Sequence, residues 1–205
     1  MKHLALYIIL ALYLYIISML LPLSLLAQSR ADGLMSSLVE RMQQLGGYEA
    51  TYMVVADDLK LIGAFSVDGD RYRIEMADME VWGDGVQRYE VDKRRQEVVI
   101  TTTESTSANI LSNPAHALEM AGSVYDAALL QETASLAELS LQNEQDLSTT
   151  IRLKINLKTG LPSSIVYLMD GARITIDILS ISPLKTPIAA FEMDAYEGFE
   201  LIDFR

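Results

Sequence analysis

Three Asp-Gly pairs, at Asp68, Asp84 and Asp170, stand between stretches in which apolar and polar residues alternate. That arrangement leaves few folds open. Alternation at period two turns one face of a strand toward a core, and Asp-Gly supplies the left-handed backbone of a tight turn. The chain is therefore expected to form a meander of short antiparallel strands. Tyr48, Ala50, Tyr52, Val54 and Ala56 begin it, Asp57-Asp58 turns into Leu59–Val67, and Asp68-Gly69 turns into Arg71–Met76. The only tryptophan, Trp82, precedes a hairpin turn at Gly83-Asp84-Gly85, and Glu97–Thr103 follows as a further strand. Beyond the polar stretch Ser105–Asn113, strands are expected near Leu136–Gln142, Thr150–Leu157, Leu161–Met169 and Ala172–Leu179. A loop at Ser182–Pro187 then leads to a last pair, about Ala190–Asp194 and Phe199–Asp203.

Helices are few. Leu34, Leu38, Met42 and Leu45 recur at helical spacing ahead of Gly46-Gly47, which predicts one amphipathic helix over about Gly33–Leu45. Pro114–Gln131 is rich in Ala, Leu and Met and reads as one or two short helices, interrupted near Gly122. The sum is one α+β domain: a curved antiparallel β-sheet, an incomplete barrel, with two or three helices covering the concave face.

Met1 to Ala27 do not belong to that domain. One lysine is followed by a run from Leu4 to Ala27 without charge, the layout of an export signal. Pro22 ends the apolar helix, and Leu25 and Ala27 stand at −3 and −1 of the expected cut, so residues 1–27 are read as a cleaved signal peptide and 28–205 as the domain. An uncleaved membrane anchor is the alternative, since the run approaches the ~20 residues of a bilayer span. No cysteine is present, which leaves an exported chain neither lipid anchor nor disulfide. A Gram-negative periplasm is the expected compartment. The whole chain carries 16 basic and 28 acidic residues, and that balance opposes binding to nucleic acid.

Catalytic groupings are scarce. His116 is the only histidine past residue 27, and no nucleophile motif accompanies it. A hydrolase using His116 is the third reading; a surface or lid histidine is the plainer one. One histidine and no cysteine make no zinc site, and the Asp-Gly pairs lack the spacing of a calcium loop. No enzyme, metal or cofactor is expected. The charged run Asp92–Glu97 reads as a solvated loop or as a basic spot for an acidic partner or lipid headgroups. The surplus is apolar: ten methionines and ten tyrosines, with Met76, Met79, Met120 and Met169 on strands or on the helical segment. A curved sheet under few helices can leave a hydrophobic pocket, and flexible methionines suit it to varied ligands.

The order of helix, meander, helical interruption after Asn-Pro, and closing meander ending FEMDAYEGFELIDFR resembles the LolA family of periplasmic lipoprotein carriers. The residues that carry the likeness are Gly63-Ala64-Phe65, Tyr72-Arg73-Ile74, the Gly83-Asp84-Gly85 turn, Tyr89-Glu90-Val91-Asp92, Phe191, and the strand Gly198–Asp203. Family members commonly carry an Arg-Pro pair between two strands, its arginine associated with cargo handling. Here Val67-Asp68-Gly69-Asp70-Arg71 stands in that place, with Arg71 and Arg73 as candidate substitutes.

The resemblance implies a monomeric periplasmic carrier that binds the acyl chains of lipoproteins or lipids in a hydrophobic cavity and moves them toward the outer membrane. An inner-membrane release complex and an outer-membrane receptor would be its partners. The alternative is a lipid- or lipoprotein-sensing module of the same fold without transport. The candidate cavity residues are Tyr52, Val54, Phe65, Ile74, Met76, Trp82, Tyr89, Leu153, Ile155, Tyr167 and Met169 on strands, with Leu118 and Met120 on the lid.

Overall fold

The computed structural model describes residues 28–103, 108–143 and 146–205. The expected signal, residues 1–27, and positions 105–107 of the polar stretch lie outside the described residues. The strands are β1 Gly47–Ala56, β2 Leu59–Asp68, β3 Arg71–Met76, β4 Met79–Gly83, β5 Gln87–Asp92, β6 Glu97–Thr102, β7 Asp126–Glu132, β8 Leu136–Asn143, β9 Asp146–Asn156, β10 Leu161–Met169, β11 Ala172–Pro183 and β12 Glu200–Asp203. They form one sheet in the order β12-β6-β5-β4-β3-β2-β1-β11-β10-β9-β8-β7. Every pairing is antiparallel except that of β12, which lies parallel to β6. With β12 and β7 at its edges the sheet does not close, so the α+β incomplete barrel is the architecture found.

Helix α1, over residues 28–43, turns Leu34, Leu38 and Met42 into the buried core, as their spacing requires. Helix α2, Ala117–Val124, buries Ala117 and Ala121. Tyr52, Phe65, Tyr72, Ile74, Leu153, Ile155, Tyr167 and Ile176 meet these helices from the inner face of the sheet.

Three expectations need correction. Residues 126–131 are not helical: β7 runs there, because pairing with β8 and burial of Ala127 outweigh the helix preference of Ala and Leu. Gly122 does not interrupt α2; it faces Met35 and Val39 of α1. Ala190–Asp194 is not a strand. Residues 184–199 instead cross the outer face as a strap that includes a 3-10 turn, Met193–Tyr196, before β12 adds to β6.

Under the strap lies a second apolar layer. The register sets Trp82 opposite Tyr89, Tyr89 opposite Ile100, and Val91 opposite Val98, all on one face. Val91 and Val98 are wholly buried there, apart from the main core. Phe191 of the strap stacks on Tyr89 at 4.2 Å between ring centroids, and Tyr196 stacks on Phe191 at 5.4 Å.

Candidate functional site

The inner face is built around tyrosines laid over glycines. Tyr52 pairs with Gly63, and a side chain on Gly63 would come within 2.6 Å of the Tyr52 phenol. Tyr72 pairs with Gly83 in the same way, and a side chain there would meet its ring at 2.2 Å. The glycines are needed for close approach, since only a bare Cα lets the rings lie flat across the neighbouring strand.

Against this face sits the segment 108–116, which joins the meander to α2 and acts as a plug. Its Ile110 and Asn113 are buried. Its backbone is fastened by side chains of the sheet. The Tyr167 hydroxyl donates to Ala108 O at 3.1 Å and accepts from Ile110 N at 2.9 Å. The Tyr48 hydroxyl donates to Pro114 O at 3.1 Å, and that of Tyr72 to Ser112 O at 3.3 Å. Burial holds the Tyr48 and Tyr167 phenols far above the usual tyrosine range, so both remain donors.

Arg88 completes the fastening. Its guanidinium donates to Ser112 O at 2.9 Å and to the Tyr72 hydroxyl at 3.2 Å. Burial opposes its charge, but hydrogen bonds with Glu90 and Tyr72 outweigh that, and its pKa rises. At the start of α2, His116 Nε2 lies 3.0 Å from Asp70 Oδ1 and Nδ1 lies 3.1 Å from Glu119 Oε2. Burial alone would lower the His116 pKa; the two carboxylates reverse this and raise it above 6.5. Glu119 also accepts from Gln43 of α1 at 2.7 Å, so one cluster ties the plug's end to a sheet turn and to a helix. Both imidazole nitrogens are thus engaged by carboxylates. Among the described residues no group of three or more His, Cys, Asp or Glu could hold a metal.

Between α1, α2 and the start of β7 lies a cavity of about 620 Å³, walled by Met35, Val39, Gly122 and Tyr125 and edged by Asp32, Glu40 and Glu119. Its size falls within the roughly 300–1,000 Å³ of small-molecule sites.

The structure gathers most of the candidate residues. Tyr52, Val54, Phe65, Ile74, Leu153, Ile155 and Tyr167 belong to the buried inner cluster, with Met76, Met169 and Leu118 packed against it. Met120 is half-buried on α2. Trp82 and Tyr89 are not brought to them. Both lie on the opposite face beneath the strap, because β4 and β5 turn Val81 and Arg88 inward. Neither candidate substitute arginine reaches the plug: Arg73 sits 4.5 Å over the Trp82 ring on the outer face, and Arg71 lines a small niche with Trp82 and Phe191. Arg88, which does reach it, was missed. Its alternation with Tyr89 and Val91 could equally place it outward, and the cover given by the strap is invisible in the local pattern.

No family model matches the chain. No curated protein matches it. Solved structures do. A conserved protein from Thermus thermophilus aligns at a TM-score of 0.54 and 10% identity, over 82% of this chain and 98% of that one. A putative outer membrane lipoprotein-sorting protein domain from Vibrio parahaemolyticus aligns at 0.44 and 7%, over 83% and 97%. The LolA superfamily protein NE2245 from Nitrosomonas europaea aligns at 0.37 and 10%, over 74% and 94%. The overall fold is shared with the Thermus thermophilus protein. At such identities the likeness concerns architecture, and the plug, its tyrosines and Arg88 rest on their own geometry in this chain.

Proposed function

We propose that the protein is a periplasmic carrier that holds the acyl chains of lipoproteins against the inner face of its sheet and moves them toward the outer membrane. The observation that supports this reading is the plug: a segment fastened by side-chain hydrogen bonds over a broad apolar face, beside a ready cavity. Lifting it exchanges those bonds for bonds to water, while each methylene that enters contributes about 0.8 kcal/mol. Two long acyl chains therefore outweigh the plug, whereas a short ligand does not. The contacts fall to Tyr52, Val54, Phe65, Ile74, Met76, Leu153, Ile155, Tyr167 and Met169, with Leu118 and Met120 moving on α2. Residues 1–27 serve as the export signal in this scheme. Release follows when a membrane receptor offers a more apolar site or stabilises the open form.

The test is to purify the protein from the periplasm, analyse bound material by mass spectrometry, and assay a diacylated lipoprotein for aggregation in its presence. Acylated species in the purified sample and suppression of aggregation are expected. Persistent absence of both would sink the carrier.

A further inference from the structure

Four tyrosines of the inner face are buried, Tyr48, Tyr52, Tyr72 and Tyr167, and three of them give their hydroxyls to the plug. Tyr52 does not. It is wholly buried, and among the described residues its hydroxyl has no hydrogen-bond partner. Burial pushes its pKa up to about 12, so the group is a neutral donor. A buried hydroxyl left without a partner destabilises a fold, and phenylalanine would fill the same space without that penalty.

The surroundings say what kind of partner fits. The phenol extends over Gly63 along the row Ile178, Tyr52, Gly63, Met76 and Met79, set by the registers of five adjacent strands. Met76 and Met79 at the end of that row are only partly buried, and their flexible side chains can move for a ligand. The other neighbour in ring contact is Phe65, 5.5 Å away between centroids. An ionised carboxylate placed there would be a buried charge without a counter-ion, and an amide would bring a donor with no acceptor to meet it. An ester carbonyl brings an acceptor and no donor.

We infer that the Tyr52 hydroxyl is the polar reading point of the acyl site, donating a hydrogen bond to the ester carbonyl that joins an acyl chain to glycerol. The inference rests on the carrier reading and sharpens it, since it makes the protein selective for acyl esters over hydrocarbon chains of the same length.

The experiment uses the full chain and its Tyr52→Phe variant. The probes are a dipalmitoyl glycerol ester, the ether-linked counterpart, and a synthetic lipopeptide bearing the same diacylglyceryl group, each measured by displacement of an anilinonaphthalene dye. The wild type should bind each ester-linked probe about fivefold more tightly than the ether. The variant should bind all at the ether's affinity, and its melting temperature should not fall. Whichever ester-linked probe binds more tightly identifies lipoprotein or free lipid as the source of the ester. Equal affinity of the wild type for ester and ether, a preference kept by the variant, or a lowered melting temperature each overturns the role of Tyr52 and leaves the carrier standing. Failure of all three probes to bind overturns both.

Discussion

Glu80 lies on the outer face of β4 with 6% of its surface exposed, where burial by itself pushes a carboxyl pKa up. Hydrogen bonds from Lys93 and Tyr196 and the charge of Arg73 reverse that push and bring it down to about 2. A carboxyl whose pKa is depressed on folding stabilises the protein above its ordinary value of 4.5, and the contribution is lost as pH falls toward about 2. A shift of this size corresponds to about 3 kcal/mol. Urea unfolding at pH 7 and pH 3 should therefore show a large acid loss in the wild type. Glu80→Gln should be less stable at pH 7 and lose less on acidification; an unchanged acid slope would mean that Glu80 does not carry it. Little of this was legible in the sequence. Glu80 stands in an alternating strand where it reads as solvent-facing, and its partners lie at Arg73, Lys93 and Tyr196, two of them beyond its own hairpin.

At the scale of elements, turn chemistry decided what could be read. Asp68-Gly69 and Asp170-Gly171 adopt the left-handed backbone at their glycines, and β3 and β10 begin and end where the pattern places them. The elements that escaped are those whose form depends on distant partners: β7 needs β8, and the strap needs the outer face of β4 to β6. The inner face was legible in β1, β2 and β9, where the residues between the inward ones are exposed or only partly buried. It was misread in β4 and β5, where both sides are covered and aromatic residues no longer mark the core. The plug also belongs to this scale. Arg88→Gln removes the charged donor to Ser112 O while Tyr48 and Tyr167 still hold the neighbouring residues. Losing a charged hydrogen bond of about 1.5–3 kcal/mol should speed amide exchange at Ile110 and Asn113 by about ten- to a hundredfold. Amides of β9 and β10 should exchange as before, and equal acceleration there would mean global destabilisation instead of local opening.

The whole molecule is a sheet with two separate apolar layers, one under the helices and plug and one under the strap. Changes far apart without shared partners act independently. Phe191→Ala should thus lower stability by about 2–3 kcal/mol, somewhat less than the loss at a fully buried phenylalanine. It should also shift Trp82 emission to the red, because Phe191 lies 6.2 Å from the indole. Affinity for an acylated ligand should not change. A parallel loss of affinity would show that the layers communicate through the sheet. It follows that Trp82 fluorescence reports on the strap and not on the opposite face, although the sequence placed Trp82 among the cavity candidates.

The fastening of the plug has one further consequence. An apolar surface suddenly bared to solvent is adhesive, and two such surfaces on colliding molecules tend to stay together. Here each lifted carbonyl leaves behind the group that held it, so the vacated face is studded with three phenol hydroxyls and a guanidinium. Water wets these groups readily. In the carrier proposed above, the open molecule would thereby keep a hydration layer across the mouth of its greasy surface, discouraging self-association until an acylated ligand displaced it.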